Sequence, residues 1–355
     1  MITCDILIVG QGLTGSLLAW HLQQAGLNVI VVDPGVTNAS QVAAGLVTPI
    51  TGRRWVLTEA IEEYWPTAKA FYRHLEQLWD TRFWHERPTL RIYRSETERE
   101  LARRRARHPG YRAYLGEEVA PGKAGFGLAD PFGSRWLTRT AHLATTALLA
   151  AVRRWLQRNH RLHQSRLLPE DLALQGGKVR WGDFQADIAI FCEGWQVVHN
   201  PWFGSLPWQP SRGQILTLEC RPPPPAFPVN GGIWLLPEGE NQVRIGATYR
   251  WDHLTPAPDA RDSEELLRKF ASLFHQPPEY QILKETAGIR PNTLDHHPIV
   301  GPHPRFPQLF VCNGMGSKAA LYAPLVCQQL CDHLLHRTPL PARIHLRRYH
   351  DRLLD

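Results

Sequence analysis

The run Asp5-Ile6-Leu7-Ile8-Val9-Gly10-Gln11-Gly12-Leu13-Thr14-Gly15 restricts the fold of this chain more than any other stretch. An apolar strand ends directly in the spacing GxGxxG, and the residues from Leu13 onward open a helix. Gly10 permits a tight turn out of the strand. Gly12 leaves room for a pyrophosphate against the main chain, and Gly15 lets the helix pack closely, with its unpaired N–H groups facing the anion. After Gly26, Val29-Ile30-Val31-Val32 forms a second apolar strand ending in Asp33. An acidic side chain at that distance accepts hydrogen bonds from a ribose diol and disfavours a ribose phosphate, which argues against NADP. These parts together define a βαβ unit that binds a dinucleotide. The unit alone suits FAD and NAD equally.

A chain of 355 residues has room for two domains around sizeable cores. It contains no apolar run of about eighteen residues and no signal-peptide pattern, so a cytoplasmic protein without an integral membrane segment is expected. The six cysteines, at positions 4, 192, 220, 312, 327 and 331, have neither CxxC pairing nor disulfide-framework spacing. Reduced thiols are therefore the default. The net charge of +7 is spread over a long chain and is no nucleic-acid signature by itself. The densest basic stretch, Arg99 to Arg107, lies among Glu96, Glu98 and Glu100 and reads as a solvated helix face, with an RNA contact as the alternative.

Asn38 to Gly52 reads as a loop whose Ser40, Ala43, Ala44 and Gly45 suit close approach to a ligand. The three- and four-residue spacing of Ile61, Tyr64, Trp65, Ala68, Phe71, Tyr72, Leu75 and Leu78 predicts a helix over Thr58–Trp79 with one buried face. A strand is predicted at Thr89–Tyr93, a charged helix at Glu96–Arg107 and a long helix at Trp136–Gln157. Ala186–Phe191 is a further apolar strand, ending at Cys192-Glu193-Gly194, which fits a return to the nucleotide sheet. Between Gly213 and Tyr249 the pattern becomes one of hairpins, with strands at Gln214–Glu219, Ile233–Leu236 and Gln242–Thr248. An antiparallel sheet between segments of a parallel one implies a second domain inserted into the first. The expected fold is α/β: a Rossmann-like domain of residues 1–85, 137–205 and 285–355, with an inserted α+β substrate domain of residues 86–136 and 206–284.

Two later segments bear on the cofactor: Ala287 to Gly301, containing Gly288-Ile289-Arg290-Pro291, and Asn313-Gly314-Met315-Gly316-Ser317-Lys318-Ala319, which enters an apolar helix running to about Leu335. A glycine loop opening a helix presents unpaired N–H groups and a positive dipole end. Such an end stabilises the negative charge that a flavin acquires near N1 and the C2 carbonyl on reduction. A plain NAD enzyme has no need of it. Asp295-His296-His297 and Cys327 with Cys331 and His333 have no zinc spacing, so no metal is expected.

In order along nearly its whole length, the chain resembles the FAD-dependent oxidoreductases of the D-amino-acid oxidase, glycine oxidase and sarcosine oxidase type. The resemblance rests on the GxGxxG unit with Asp33, Ser40 to Leu46, Arg212-Gly213-Gln214, Gly288 to Gly301, and Gly314 to Pro324. It implies FAD, with Gly10, Gly12, Leu13, Thr14 and Gly15 on the pyrophosphate and Asp33 with Pro34 at the adenosine ribose. Ser40, Ala44, Gly45 and Leu46 would lie by the pyrophosphate and isoalloxazine. Gly194, and Gly314, Met315, Gly316, Ser317, Lys318 and Ala319 along the pyrimidine edge, would complete the cofactor contacts. Arg290 matches an arginine that holds the substrate carboxylate through a two-pronged salt bridge, and Lys318 a lysine with the same task. From the residues alone, Arg290 could equally form a buried ion pair with Asp295, and Lys318 could face solvent. Arg53 and Arg54 are further cationic candidates. The histidine or cysteine that attaches flavin covalently in some relatives has no counterpart at the matching place, so noncovalent FAD is implied. Ala319 departs from the glycine of many relatives.

The resemblance implies oxidation of a primary or secondary amine, an amino acid or N-substituted glycine, by hydride transfer to flavin N5 and imine hydrolysis. The partners would be a small carboxylated amine and oxygen or another electron acceptor. Two alternatives remain: an oxidase acting on carboxymethylaminomethyl uridine in tRNA, and a flavin-binding subunit without turnover.

Overall fold

The computed structural model describes residues 1–353. The first strand, Ile2–Val9, pairs in parallel with Val29–Val32 on one side and with Phe184–Phe191 on the other. Its six C-terminal residues leave little exposed, as a parallel sheet covered on both faces requires. Leu309–Asn313 pairs in parallel with the end of Phe184–Phe191, and Ile299–Pro302 runs antiparallel beside it. Three helices, Leu13–Gln24, Ile61–Trp79 and Ala319–His336, join this sheet in one apolar cluster containing Leu17, Trp20, Tyr72 and Cys327. Tyr72 ties two of them, its hydroxyl donating to Ala320 O at 2.9 Å. The aromatic stripe of Ile61–Trp79 is core at Tyr64, Trp65 and Tyr72, while Leu78 is exposed.

A second sheet of eight strands runs in the order 279–290, 211–221, 242–246, 234–238, 229–230, 89–92, 134–137 and 115–119. Its core holds Leu216, Leu218, Leu235, Val243 and Ile245, covered by Leu266 and Phe270 of the helix Ala260–Ala271. The second sheet is therefore mixed rather than purely antiparallel: Val229–Asn230 runs parallel to Thr89–Ile92, while its other neighbouring strands pair antiparallel.

The predicted helix Trp136–Gln157 begins later than expected. Ser134–Leu137 pairs with Thr89–Ile92, Ala141–Leu143 pairs with Leu46–Val47 and Trp84–Glu86, and the helix occupies Thr145–Arg158. The break falls at Arg139, whose φ of +49° no helix accommodates. Similarly, Ile61 rather than Thr58 opens its helix, because Ala60 is left-handed with φ +52°. Within Asn38–Gly52, Ala39–Val42 is one helical turn capped by Asn38, whose Oδ1 accepts from Ser40 N and Gln41 N at 3.0 and 3.2 Å.

The charged helix Glu96–Arg107 has Ser95 as its cap, with Oγ accepting from Glu98 N at 3.1 Å. Arg99 and Arg103 reach Glu118 at 3.1 and 2.9 Å, and Arg135 meets the same carboxylate at 2.8 Å. Two arginines of the basic stretch are thus engaged within the fold. Among the described residues, no helix is long and apolar enough to cross a membrane.

Candidate active site

A cavity of about 1300 Å³ runs from the carboxyl ends of the first two strands to the face of the second sheet. At one end lies the phosphate loop. Gly10 has φ +101°, and a Cβ there would stand 2.6 Å from Cys192 O; one on Gly15 would overlap Gly10 O. These two glycines therefore let the loop, the helix and the strand Phe184–Phe191 meet. Gly12, Leu13 and Thr14 line the cavity, whereas Gly15 lies behind it. Leu13 N donates to Ser40 Oγ at 3.0 Å, which joins the phosphate loop to the next segment.

Asp33 is buried, and its carboxylate is held by three donors. Oδ2 accepts from Gln11 N at 2.8 Å, while Oδ1 accepts from Gly35 N at 2.8 Å and meets Arg153 Nη1 at 3.4 Å. The acid predicted for a ribose thus also orders its own turn and the glycine loop. Pro34 lies beside it on the wall.

Ala44, Gly45 and Leu46 form the middle of the cavity wall. Gly45 has φ +68°, and a side chain there would overlap Leu143 O, because Leu143 N also donates to Gly45 O at 2.9 Å. The loop is therefore pinned from behind by the Ala141–Leu143 strand. The Gly-rich loop closes the opposite side with Met315, Gly316, Ser317 and Ala319. Gly314 does not line the cavity. Its φ is +83° and a Cβ there would come 2.7 Å from Thr293 Cγ2, so this glycine serves a turn and a packing contact.

At the far end, Arg290 projects from the strand Glu279–Arg290 across Gly213 of the neighbouring strand. Its two terminal nitrogens donate to Thr248 O, each at 3.3 Å, and its Cζ stands 4.1 Å from the centre of the Tyr249 ring. Burial lowers its pKa. The alternative pairing with Asp295 does not occur: Asp295 accepts from Arg348 Nε at 2.9 Å, and that guanidinium holds the carboxyl down at about 2. Among the described residues Arg290 has no carboxylate partner, so a cation with unused donors faces the cavity. Lys318 is not a solvent-facing lysine either. It lines the cavity, donates to Thr58 Oγ1 at 3.1 Å, and burial lowers its pKa. Arg53 lies on the rim, while Arg54 is exposed and off the cavity wall.

Tyr249 and Thr248 escape sequence reasoning, since nothing local distinguishes them from other residues after a strand. Only the pairing of Ser211–Arg221 with both Gln242–Gly246 and Glu279–Arg290 brings Thr248, Tyr249 and Arg290 together. Gly194 lies on the cavity wall, with its carbonyl accepting from Asn313 Nδ2 at 2.8 Å.

The residues fit FAD. Gly12, Leu13 and Thr14 face a cavity of about 1300 Å³ with no side chain on Gly12 to occupy it, Asp33 lies on the same wall, and Arg290 and Lys318 line it as well.

Comparison with known proteins agrees with this geometry. The family model described as DAO, FAD dependent oxidoreductase, matches residues 5–333. Glycine oxidase of Pseudomonas aeruginosa is 26% identical over 355 residues, covering 94% of this chain and 96% of that protein. The tRNA 5-methylaminomethyl-2-thiouridine biosynthesis bifunctional protein MnmC of Idiomarina loihiensis is 24% identical, covering 95% of this chain and 56% of that protein. The solved structure of glycine oxidase from Geobacillus kaustophilus has the same fold, with a TM-score of 0.82 at 20% identity over 96% of both chains.

Proposed function

The chain belongs to the DAO family of FAD-dependent oxidoreductases, and from that premise we propose that it oxidises a small amine bearing a carboxylate, an amino acid or an N-substituted glycine. When bound, FAD would supply the hydride acceptor for the α-carbon of a neutral amine, and the resulting iminium ion would be hydrolysed by water to a carbonyl compound and an amine. The observation that carries this reading is Arg290. A guanidinium that has no carboxylate partner among the described residues, on the wall of a cavity of about 1300 Å³, is matched by the carboxylate of such a substrate.

The protein's share of the work is positional. Arg290 would anchor the carboxylate, Tyr249 and Thr248 would hold the guanidinium plane, and Lys318 would add a second positive charge. Fixing the carboxylate limits the poses in which the α C–H can face the flavin, which is where the rate advantage arises. FAD would be held noncovalently by Gly10, Gly12, Asp33, Ser40, Gly45 and the loop Met315–Ala319.

The test is anaerobic bleaching of the flavin by glycine, sarcosine, D-amino acids, L-proline and amines lacking a carboxylate. Arg290→Ala is expected to raise KM steeply for the carboxylated amines. An unchanged KM across an active panel would overturn the assignment.

The similarity to MnmC favours a second reading, an N-substituted glycine carried on the wobble uridine of tRNA. Salt-sensitive tRNA binding would support it, and absence of binding at low salt would remove it.

A further inference from the structure

One acidic side chain on the wall beside the phosphate loop has no part in the function proposed above. Glu193 follows the strand Phe184–Phe191, and a Cβ on Gly10 would lie 3.5 Å from its Cα. Glu193 is one of the residues that line the cavity. Oε2 accepts from Asn200 Nδ2 at 2.8 Å. Asn200 is buried and held in one orientation, because its Oδ1 accepts from Trp202 N and Phe203 N at 3.0 and 3.1 Å. The amide NH₂ is therefore the end left for Glu193. Oε1 makes no hydrogen bond among the described residues.

No cation among those residues stands within ion-pair distance of this carboxyl. The charged or titratable groups that line this cavity from the neighbouring segments are Cys192 beside Glu193, Asp33 after the second strand, Arg166 and Glu170 from the segment after residue 163, and His199 from Glu193's own segment. Asp33 is already satisfied by Gln11, Gly35 and Arg153. With burial uncompensated, the Glu193 carboxyl is pushed up to about 7. A diphosphate against Gly10 would add negative charge to the same wall, which favours the neutral acid further.

We propose that Glu193 binds FAD as the neutral acid, donating from its carboxyl to the cofactor's diphosphate, so that FAD retention is coupled to the uptake of one proton. Asp33 and Glu193 then divide the work by environment: one accepts from Gln11, Gly35 and Arg153, and the other, as the neutral acid, donates. The inference rests on FAD as the cofactor and not on the identity of the amine.

The experiment is titration of apoprotein with FAD from pH 6 to 8.5, followed by flavin fluorescence. The dissociation constant of the wild type is expected to rise with pH above neutrality, approaching about tenfold per pH unit, as uptake of one proton demands. Glu193→Gln keeps a donor but carries no titrating proton. It is expected to bind FAD at pH 6 about as tightly as the wild type and to lose the slope. Should the variant fail to fold, titration of the wild type with riboflavin, which lacks the diphosphate, gives the second reading: no slope is expected. A flat wild-type profile overturns the proposal, as does tighter binding at high pH, which would make Glu193 an anionic acceptor. A slope retained in Glu193→Gln also overturns it by placing the proton on another group, and an equal slope with riboflavin overturns it as well.

Discussion

The guanidinium of Arg290 fills the space that a side chain on Gly213 would need. A Cβ built on Gly213 would overlap the terminal nitrogens of Arg290, which sits two residues along its strand from Gly288, the cross-strand partner of Gly213. The glycine on one strand is therefore the floor on which the neighbouring strand's arginine lies.

Gly213→Ala is expected to displace Arg290 without touching the phosphate loop. Loss of a charge-assisted contact of this kind costs about 2 kcal/mol or more, roughly thirtyfold in KM for a carboxylated amine. The variant should keep its FAD absorbance. Steady-state kinetics beside the flavin spectrum check both halves, and an unchanged KM would show that Arg290 does not anchor substrate.

Gly15→Ala should do the reverse. Its Cβ would overlap Gly10 O, which is backbone and cannot step aside as a flexible side chain would. The expected outcome is protein that purifies colourless or fails to fold; a yellow variant with wild-type FAD content would contradict it.

Lys318 has a proton affinity lowered by burial from its ordinary value near 10.5. The folded chain then binds fewer protons than the unfolded chain between the lowered value and about 10.5, so stability rises with pH across that window. Lys318→Met should remove this rise. Urea midpoints of the apoprotein from pH 7 to 10 measure it, and parallel slopes in both proteins would refute it.

Asp295 and Arg348 join the loop 292–298 to the C-terminal segment. Their pairing lowers the Asp295 carboxyl from 3.8 to about 2, so the stabilisation is present above about pH 4 and is lost as pH falls toward 2. The fall from 3.8 to about 2 bounds it at about 2.4 kcal/mol, and solvent at this partly exposed pair reduces it to about 1 kcal/mol. Asp295→Asn should lower Tm at pH 7 and converge with the wild type only as pH falls below about 2, which thermal melts across acid pH measure.

The sequence carried the phosphate loop and Asp33 because their signal is local: glycines at fixed offsets have one backbone use, and a strand, turn and helix within thirty-odd residues need no distant partner. The same holds for the aromatic stripe of Ile61–Trp79, where the three-to-four spacing itself reports a buried face. Residues whose state depends on distant chain were not legible in this way. Trp136 and Leu137 are strand because Thr89–Ile92 lies beside them, although the alanine-rich stretch that follows favours helix. Asp295 lies five residues from Arg290 yet pairs with Arg348, fifty-three residues on. Gly314 belongs to a glycine loop but packs on Thr293 rather than lining the cavity. By itself, then, the sequence determined the dinucleotide end of this protein. Only the tertiary structure decided what stands at the other end, because pairing among three strands from distant parts of the chain sets Arg290 against Gly213, Thr248 and Tyr249 and gives it no carboxylate among the described residues.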